Sequence, residues 1–494
     1  MHQLGFDNEK YLKLQSEKIT ERISNFDGKL YLEFGGKLFD DYHASRVLPG
    51  FKPDSKVRLL CELSDRTEII VTISADDIEK NKRRGDLGIT YDQDAMRLID
   101  AFRGIGLYVG SVVITRFNNQ NAAVRFEKQL IAQGLKVYHH YAIPNYPADV
   151  SLIVSDEGYG RNDYIETTRP LVVITAPGPG TGKMATCLSQ LYHDHKRGIK
   201  SGYAKFETFP VWNLPLKHPV NLAYEAATAN LNDVNMIDPF HLDAYNETAV
   251  NYNRDIEIFP VLSEMMRRIY GSSPYKSPTD MGVNMVGNCI IDDEITIRAS
   301  EQEIIRRYYA ASCNFRKGLT SRDEVYKIEL LMRQLGISSD DRPVVKAALN
   351  RAEITGEPAA ALQLPDGRVI DGKTSELLGA SSALLLNALK ELAGISDEIH
   401  LISPIIIEPI QALKVGYMGN NNPRLHTDEV LIALSICAAT NPMAELAMNQ
   451  LSKLRGCEAH STVILSHVDE NVFQKLGVNL TSEPVYQTKQ LFHK

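Results

Sequence analysis

The apolar run Leu171-Val172-Val173-Ile174-Thr175-Ala176 leads into Pro177-Gly178-Pro179-Gly180-Thr181-Gly182-Lys183 and then Met184-Ala185-Thr186-Cys187-Leu188. A buried strand that feeds a glycine-rich turn and then a helix gathers unpaired backbone N–H groups and the positive end of the helix dipole at one point. Gly178, Gly180 and Gly182 let the backbone approach oxygen atoms without a Cβ in the way, Thr181 lies between them, and Lys183 adds a full positive charge. The chemistry this suits is a phosphate cradle, with Lys183 neutralising phosphate oxygens as they transfer or leave.

Two residues depart from the standard G-x-x-x-x-G-K-S/T loop. Pro177 stands at the first glycine, and Met184 offers Mg²⁺ no oxygen where a hydroxyl is usual. Thr186 lies roughly 200° further round the helix than Met184 and replaces it poorly. Some P-loop kinases resembling adenylate kinase also lack a hydroxyl directly after the lysine, so nucleotide stays open. A plain strand-to-helix turn with a surface lysine is the competing reading.

Downstream, Lys200 to Phe209 reads as the next strand of such a domain, with Lys205 or Glu207 near the site if the strand order is doubly wound. Asp238, after the short apolar run Val234 to Ile237, is the candidate catalytic carboxylate that would hold Mg²⁺. The string Ile237-Asp238-Pro239-Phe240-His241 resembles a segment of P-loop ligases of the amidotransferase type, which adenylate a carboxylate. The alternative makes Asp238 and Asp243 turn and N-cap residues.

Other clusters carry less. Gly35-Gly36-Lys37 and Asp40-Asp41 lead to His43 and Arg46, which suit either an anion pocket or a β-turn before a solvated helix. His139-His140 and His193-x-His195 lack ligand spacing backed by a second motif, and Asp292-Asp293-Glu294 reads as a solvated acidic turn. His426-x-x-Glu429 and Cys457-x-x-His460 together suit a zinc shell, against a reading in which Thr427 or Asp428 caps a helix and Gly456-Cys457 ends one. Neither H-E-x-x-H nor H-x-x-E-H occurs, so the zinc-peptidase geometry is missing and no metal site is assigned.

The elements that must position these residues read as α/β. Candidate strands are Lys29 to Phe34, Val57 to Leu63, Glu68 to Ile73, Gly110 to Thr115, Lys136 to Tyr141, Leu171 to Ala176 and Tyr203 to Phe209, with helices at Asp94 to Phe102 and Asn121 to Gln133. That alternation predicts an N-terminal P-loop-like, doubly wound sheet in residues 1–296. Ser300 with Glu303 and Ser321 with Glu324 have the capping-box spacing and predict two helix starts. The stripes Ile304, Tyr308, Ala311, Phe315 and Val325, Ile328, Met332, Leu335 make residues 297–356 a helical segment. Residues 357–494 read as a smaller α/β domain. It opens on a hairpin around Pro365-Asp366-Gly367 and continues with a helix from Ser381, strands at Glu398 to Ile407 and Ser461 to Ser466, and a helix at Glu429 to Ala439.

Composition narrows the class. The chain has 494 residues, 54 Lys+Arg against 62 Asp+Glu, a net charge of -8, and 44% hydrophobic and 23% charged residues. These are ordinary globular proportions over about three domain lengths, without the basic footprint of a nucleic-acid binder. Cys61, Cys187, Cys289, Cys313, Cys437 and Cys457 form no C-x-x-C pair and read as reduced thiols of a cytoplasmic protein. No signal-like apolar run opens the chain, and no stretch approaches the ~18–20 apolar residues of a membrane span.

The strings Leu30 to Lys37 (LYLEFGGK), Ala176 to Lys183, Tyr203 to Asn213 (YAKFETFPVWN), Ser277 to Gly287 (SPTDMGVNMVG) and Glu458 to Thr462 resemble, across nearly the whole chain, a bacterial family classified only as a domain of unknown function. The resemblance implies a multi-domain cytosolic protein with N- and C-terminal α/β units around a helical part, and some members carry the label of ATP-dependent peptidase. The expectation is a protein that binds ATP or a related nucleotide, or another small phosphorylated molecule, at Gly178, Gly180, Thr181, Gly182 and Lys183. It would be a phosphoryl-transfer or ligase-type enzyme using Lys183 and Asp238. The alternatives are a non-catalytic module for a phosphorylated metabolite and an ATP-dependent peptidase. Mg²⁺ and homo-oligomer formation stay open, with neither nucleic acid nor membrane as partner.

Overall fold

Leu171–Thr175 lies inside a seven-stranded sheet with every residue buried. The computed structural model describes residues 4–488 apart from 37, 40, 85 and 86. In chain order the strands are β1 (Leu30–Phe34), β2 (Thr67–Ser74), β3 (Tyr108–Thr115), β4 (Lys136–His139), β5 (Leu171–Thr175), β6 (Gly202–Phe206), β7 (Asn235–Ile237), β8 (Val250–Tyr252), β9 (Gly282–Val283), β10 (Ala359–Gln363), β11 (Val369–Lys373), β12 (Glu458–Ser461) and β13 (Asn479–Ser482). They fall in two units, one of residues 4–225 with 231–300 and one of residues 226–230 with 301–488.

The N-terminal unit holds the parallel sheet, in the order β4-β3-β2-β5-β1-β6-β9, and the small antiparallel pair β7-β8. β1, β2 and β5 are buried along their whole length, as an apolar or β-branched run must be when both sheet faces are covered. After β2 the chain continues outward to β3, whereas after β5 it crosses β1 to reach β6. The strand order therefore reverses between β2 and β5. At such a reversal the loops beyond the strands' carboxyl ends part and leave a crevice.

The C-terminal unit has a mixed sheet, β11-β10-β12-β13, in which β10 runs antiparallel to both neighbours and β12 and β13 are parallel. The hairpin expected at Pro365-Asp366-Gly367 joins β10 to β11, with Gly367 at φ +90°. Leu362, Leu384, Leu389, Leu434 and Phe473 share its core. Helix Pro343–Thr355 packs on β10. Among the described residues, no helix is long and apolar enough to cross a membrane.

Several local expectations fail for identifiable reasons. Val57 to Leu63, read as a strand, lies in helix Ser55–Glu62, where the polar Lys56 is drawn inward by Asp41 at 2.7 Å. Glu398 to Ile407 is no strand either. Pro404 starts helix Pro404–Ala412, and Ile405 is 77% exposed while Ile407 is buried, so the isoleucines split between faces. Ser300 starts no helix: it sits inside Asp293–Arg316, its hydroxyl donating back to the Thr296 carbonyl at 2.6 Å. On that helix Tyr309, not Tyr308, is buried with Ile304 and Ala311, and Phe315 is exposed. The second expected start holds, since Ser321 precedes helix Arg322–Leu335, although its side chain makes no capping bond. Beyond Ser461, the expected strand to Ser466 is missing.

Candidate functional site

The loop after β5 reaches helix Lys183–Lys196 through Gly180 at φ +77° and Gly182 at φ +91°, a left-handed backbone that side chains resist. Gly178 is required for a different reason. A Cβ there would stand 2.3 Å from the Tyr91 hydroxyl, because the helix Tyr91–Gly104 lays that ring against the loop. Thr181 points inward and fixes the loop to the ends of two strands. Thr115 Oγ1 of β3 donates to its carbonyl at 2.7 Å, and its own hydroxyl lies 3.4 Å from Thr72 Oγ1 of β2.

With Thr181 holding the loop from below, the backbone donors are left over. The amide N–H groups of Gly178 and of Gly180 to Ala185 make no hydrogen bond to a described residue. Lys183, half-buried, forms no ion pair among the described residues. Two buried hydroxyls nearby, Ser74 Oγ at the end of β2 and Thr186 Oγ1 on the helix, also lack partners. Ser74 pairs in register with Thr115 and lies on the same face of β2 as Thr72, two residues on, so it belongs to the loop side. Met184 offers no oxygen, as the sequence states. The helix is anchored to the sheet by the buried Cys187, Leu188 and Leu191, and burial pushes the Cys187 thiol well up.

Two strands along, the carboxyl ends of β1 and β6 carry a second group. Glu33 and Lys205 are register partners. Lys205 Nζ is paired with Glu207 at 2.9 Å and with Asp255, in the first turn of helix Asn253–Tyr270, in an even closer contact. Tyr203 donates to Glu33 at 2.7 Å. Burial opposes the Lys205 charge, but Asp255, Glu207 and Glu33 outweigh it and raise its pKa. Burial, with Asp255 adding to it against Lys205, pushes the Glu207 carboxyl up to about 7. Three carboxyl groups around one ammonium thus leave a proton-exchanging group near neutrality. From the sequence, Lys205 or Glu207 was expected near the loop if the strand order is doubly wound, whereas Glu33 and Asp255 were missed. The signal for Glu33 was a lone acid near the end of the apolar strand Leu-Tyr-Leu-Glu-Phe.

Asp238 lies elsewhere in the unit, capping helix Pro239–Tyr245. Its Oδ1 accepts from Phe240 N and His241 N at 3.0 Å, and its Oδ2 accepts from the Thr279 hydroxyl at 2.7 Å. His43 packs edge-on against Phe209 and Tyr224. Burial opposes the charge of the neighbouring Asp41, but Lys56 and the Ala44 N–H hold its pKa below the usual carboxylate value. Lys37 and Asp40 of that group are outside the described residues. His139 stacks on Phe117, and burial pushes His140 down to about 3. Asp292 accepts from Ile295 N at the start of helix Asp293–Arg316, and Asp293 faces His218 at 3.1 Å.

In the C-terminal unit the four residues weighed for zinc each have another partner. His426 Nδ1 meets Asp469 Oδ2 at 2.9 Å, Glu429 meets Lys414 at 2.7 Å, the Cys457 thiol points to the Lys453 carbonyl, and His460 lies between Thr481 and Glu483. His426, rather than Thr427 or Asp428, is the N-cap of helix Thr427–Ala438. Among the described residues no group of His, Cys, Asp and Glu has metal-binding geometry. A hollow of about 290 Å³ lined by Gln363, Pro365, Arg455 and Glu458 offers a carboxylate already bound by Arg306 and Arg342. The sheet end of the N-terminal unit is therefore the better candidate.

Residues 4–336 match the domain of unknown function DUF1846, N-terminal, and residues 340–492 match its C-terminal counterpart. The chain belongs to the DUF1846 family. It is similar throughout to bacterial proteins named UPF0371. One from Streptococcus pyogenes serotype M28 (strain MGAS6180) and one from Streptococcus uberis (strain ATCC BAA-854 / 0140J) are each 60% identical over 494 residues, and one from Streptococcus equi subsp. equi (strain 4047) is 59% identical over 492 residues. In each comparison 100% of both chains is covered. The family resemblance read from the loop and strand strings is thus correct, and the two family segments meet between residues 336 and 340, just after helix Arg322–Leu335.

Proposed function

We propose that the loop from Gly178 to Lys183 binds the phosphate groups of a nucleotide, such as ATP, or of another small phosphorylated molecule. The observation that carries this is the row of amides from Gly178 and Gly180 to Ala185 that bond to no described residue, at the reversal of strand order and beside the Lys183 ammonium, which forms no ion pair among the described residues. Amides at a helix start attract anions because the helix dipole and the N–H bonds point the same way. The Ser74 hydroxyl on the loop side, without a partner among the described residues, adds a donor.

On this reading Lys183 neutralises phosphate oxygens. For Asp238 to hold Mg²⁺ as well, it would have to release Thr279. A second reading, a module that holds a phosphorylated metabolite without turning it over, draws support from Met184, where a metal-binding hydroxyl is missing.

The test is thermal unfolding of wild type and Lys183→Ala with ATP, ADP, GTP and inorganic phosphate, each with and without Mg²⁺. A ligand at about 100 times its Kd adds about 2.7 kcal/mol of stability. The wild type is expected to gain with at least one ligand and Lys183→Ala to lose that gain. No gain with any ligand overturns the reading.

A further inference from the structure

Glu207, Lys205, Asp255 and Glu33 lie at the same end of the sheet as the loop, on β1 and β6 and at the start of helix Asn253–Tyr270. Strand spacing puts β6 roughly 10 Å from β5, with β1 between them. A group held at Gly178 to Lys183 and a second molecule lying over β1 can meet across that distance.

The cluster does not have the closure of a structural ion pair. Lys205 holds two carboxylates and leaves the third, Glu33, to Tyr203. Tyr252, at the end of β8, is buried beside Tyr224 and lends the cluster a hydroxyl-lined wall. Gly282 of β9 leaves Glu207 its place: a Cβ there would stand 2.7 Å from Glu207 Oε2. The side chains of Lys205, Glu207 and Asp255 keep 24%, 11% and 20% of their exposure, so a ligand can reach them.

We propose that Glu207 is the general base of a phosphoryl-transfer site, acting on a hydroxyl-bearing acceptor that binds over β1 and β6, with Lys205 and Asp255 as its positioning residues. The proposal rests on the phosphate-binding reading of the loop and deepens it. The acceptor oxygen forms a bond to the terminal phosphorus of a nucleoside triphosphate as the bond from that phosphorus to the bridging oxygen breaks. The electron pair of the broken bond leaves with the nucleoside diphosphate, and the hydroxyl proton passes to the Glu207 carboxylate and then to solvent. Glu207 has the proton affinity such a base needs near neutral pH.

The test follows Mg-ATP by ³¹P NMR between pH 5.5 and 8.5, with water and with glycerol and serine as simple hydroxyl acceptors. It uses the full chain as wild type, Glu207→Gln and Glu207→Asp, with ATP binding measured in parallel by thermal shift. Wild type is expected to form ADP with a rate that rises through about pH 7. Glu207→Gln is expected to bind ATP as wild type does, to lose at least 100-fold in rate and to lose the pH inflection, and Glu207→Asp to keep an inflection at a shifted pH. ATP binding by wild type without ADP formation, or an unchanged rate and profile in Glu207→Gln, overturns the base and leaves the loop reading intact. Failure of ATP to bind wild type overturns both. If Glu207→Gln fails to fold, loss of the pH inflection in Glu207→Asp with an unchanged rate overturns the proposal.

Discussion

Thr115 Oγ1 donates to the carbonyl of Thr181 at 2.7 Å, tying the end of one strand to the middle of the loop that follows another. That bond turns the carbonyl of Thr181 towards the sheet, and the neighbouring amides do not bond to it. Thr115→Val keeps the shape and removes the donor, leaving a buried carbonyl unsatisfied. A loss of about 1–3 kcal/mol is expected, together with weaker phosphate binding. Urea unfolding and calorimetric titration with ADP check the two effects, and unchanged affinity would detach the strand from the loop's function.

Gly182→Ala tests the backbone itself. At φ +91° a side chain is strained, and the new Cβ would stand 3.1 Å from Thr115 Cγ2. The expected cost is about 1–2 kcal/mol in stability. Gly198→Ala, also at positive φ but with open space around it, is the control. The two variants should lose similar stability through strain, and only Gly182→Ala should weaken the thermal shift given by ATP.

The elevated proton affinity of Glu207 makes stability depend on pH. Its carboxyl pKa, raised to about 7 by burial first and Asp255 second, is higher than in the unfolded chain, so the folded state holds the proton longer. The resulting stabilisation is complete below the unfolded pKa of about 4.3 and fades as pH rises through about 7. Relative to Glu207→Gln, wild type should therefore lose roughly 2 kcal/mol between pH 5 and pH 8. Denaturation of both at the two pH values gives the difference, and parallel behaviour would show that Glu207 titrates normally.

His426 and Asp469 give a pair whose contribution fades in the same direction. The Asp469 hydrogen bond raises the His426 pKa against burial, so its contribution is present below the unfolded value of about 6.5 and lost as pH rises through the folded one. Asp469 also accepts from Thr427 N and Oγ1. Asp469→Asn should cost about 2 kcal/mol at pH 5.5 and less at pH 9. Thermal melts across that range are the measurement, and a cost that grows with pH would contradict the pairing.

Arg342 is fully buried and binds Glu458, the Thr481 hydroxyl and the carbonyls of Ala459 and Asn479. Removing one member of a buried ion pair typically costs about 3–5 kcal/mol, and Glu458, which keeps Arg306 at 2.9 Å, places the loss at the low end. Arg342→Ala is expected to lower the unfolding free energy of the C-terminal unit by about 3 kcal/mol, measured by urea denaturation. Arg368→Ala, which breaks exposed pairs with Asp366 and Glu391, should leave that unfolding almost unchanged.

The parallel strands were legible because burial on both faces writes itself as runs rich in Val, Ile and Leu, as in Ile69 to Ile73 of β2 and Leu171 to Ile174 of β5. The loop was legible because glycine spacing and a lysine survive any packing. What escaped was set by partners distant in sequence. Helix Ser55–Glu62 looks like a strand until Asp41 claims Lys56, and Ser300 looks like a cap until the helix is seen to begin at Asp293. Glu33 and Asp255 join Lys205 from elements 222 residues apart by number, so no local pattern announces them. Asp238 ends a short strand as expected, and only the folded chain shows Thr279 filling its second oxygen.

β5 enters the sheet between β1 and β2, which the chain makes first but which never touch as neighbours. A ribosome that has released only the first 170 residues has therefore produced two strands with facing edges and nothing to lie between them. Until the segment that also carries the glycine loop arrives, those edges are open to any other extended chain, so β5 closes the sheet against misassembly in the same step that completes the proposed phosphate cradle.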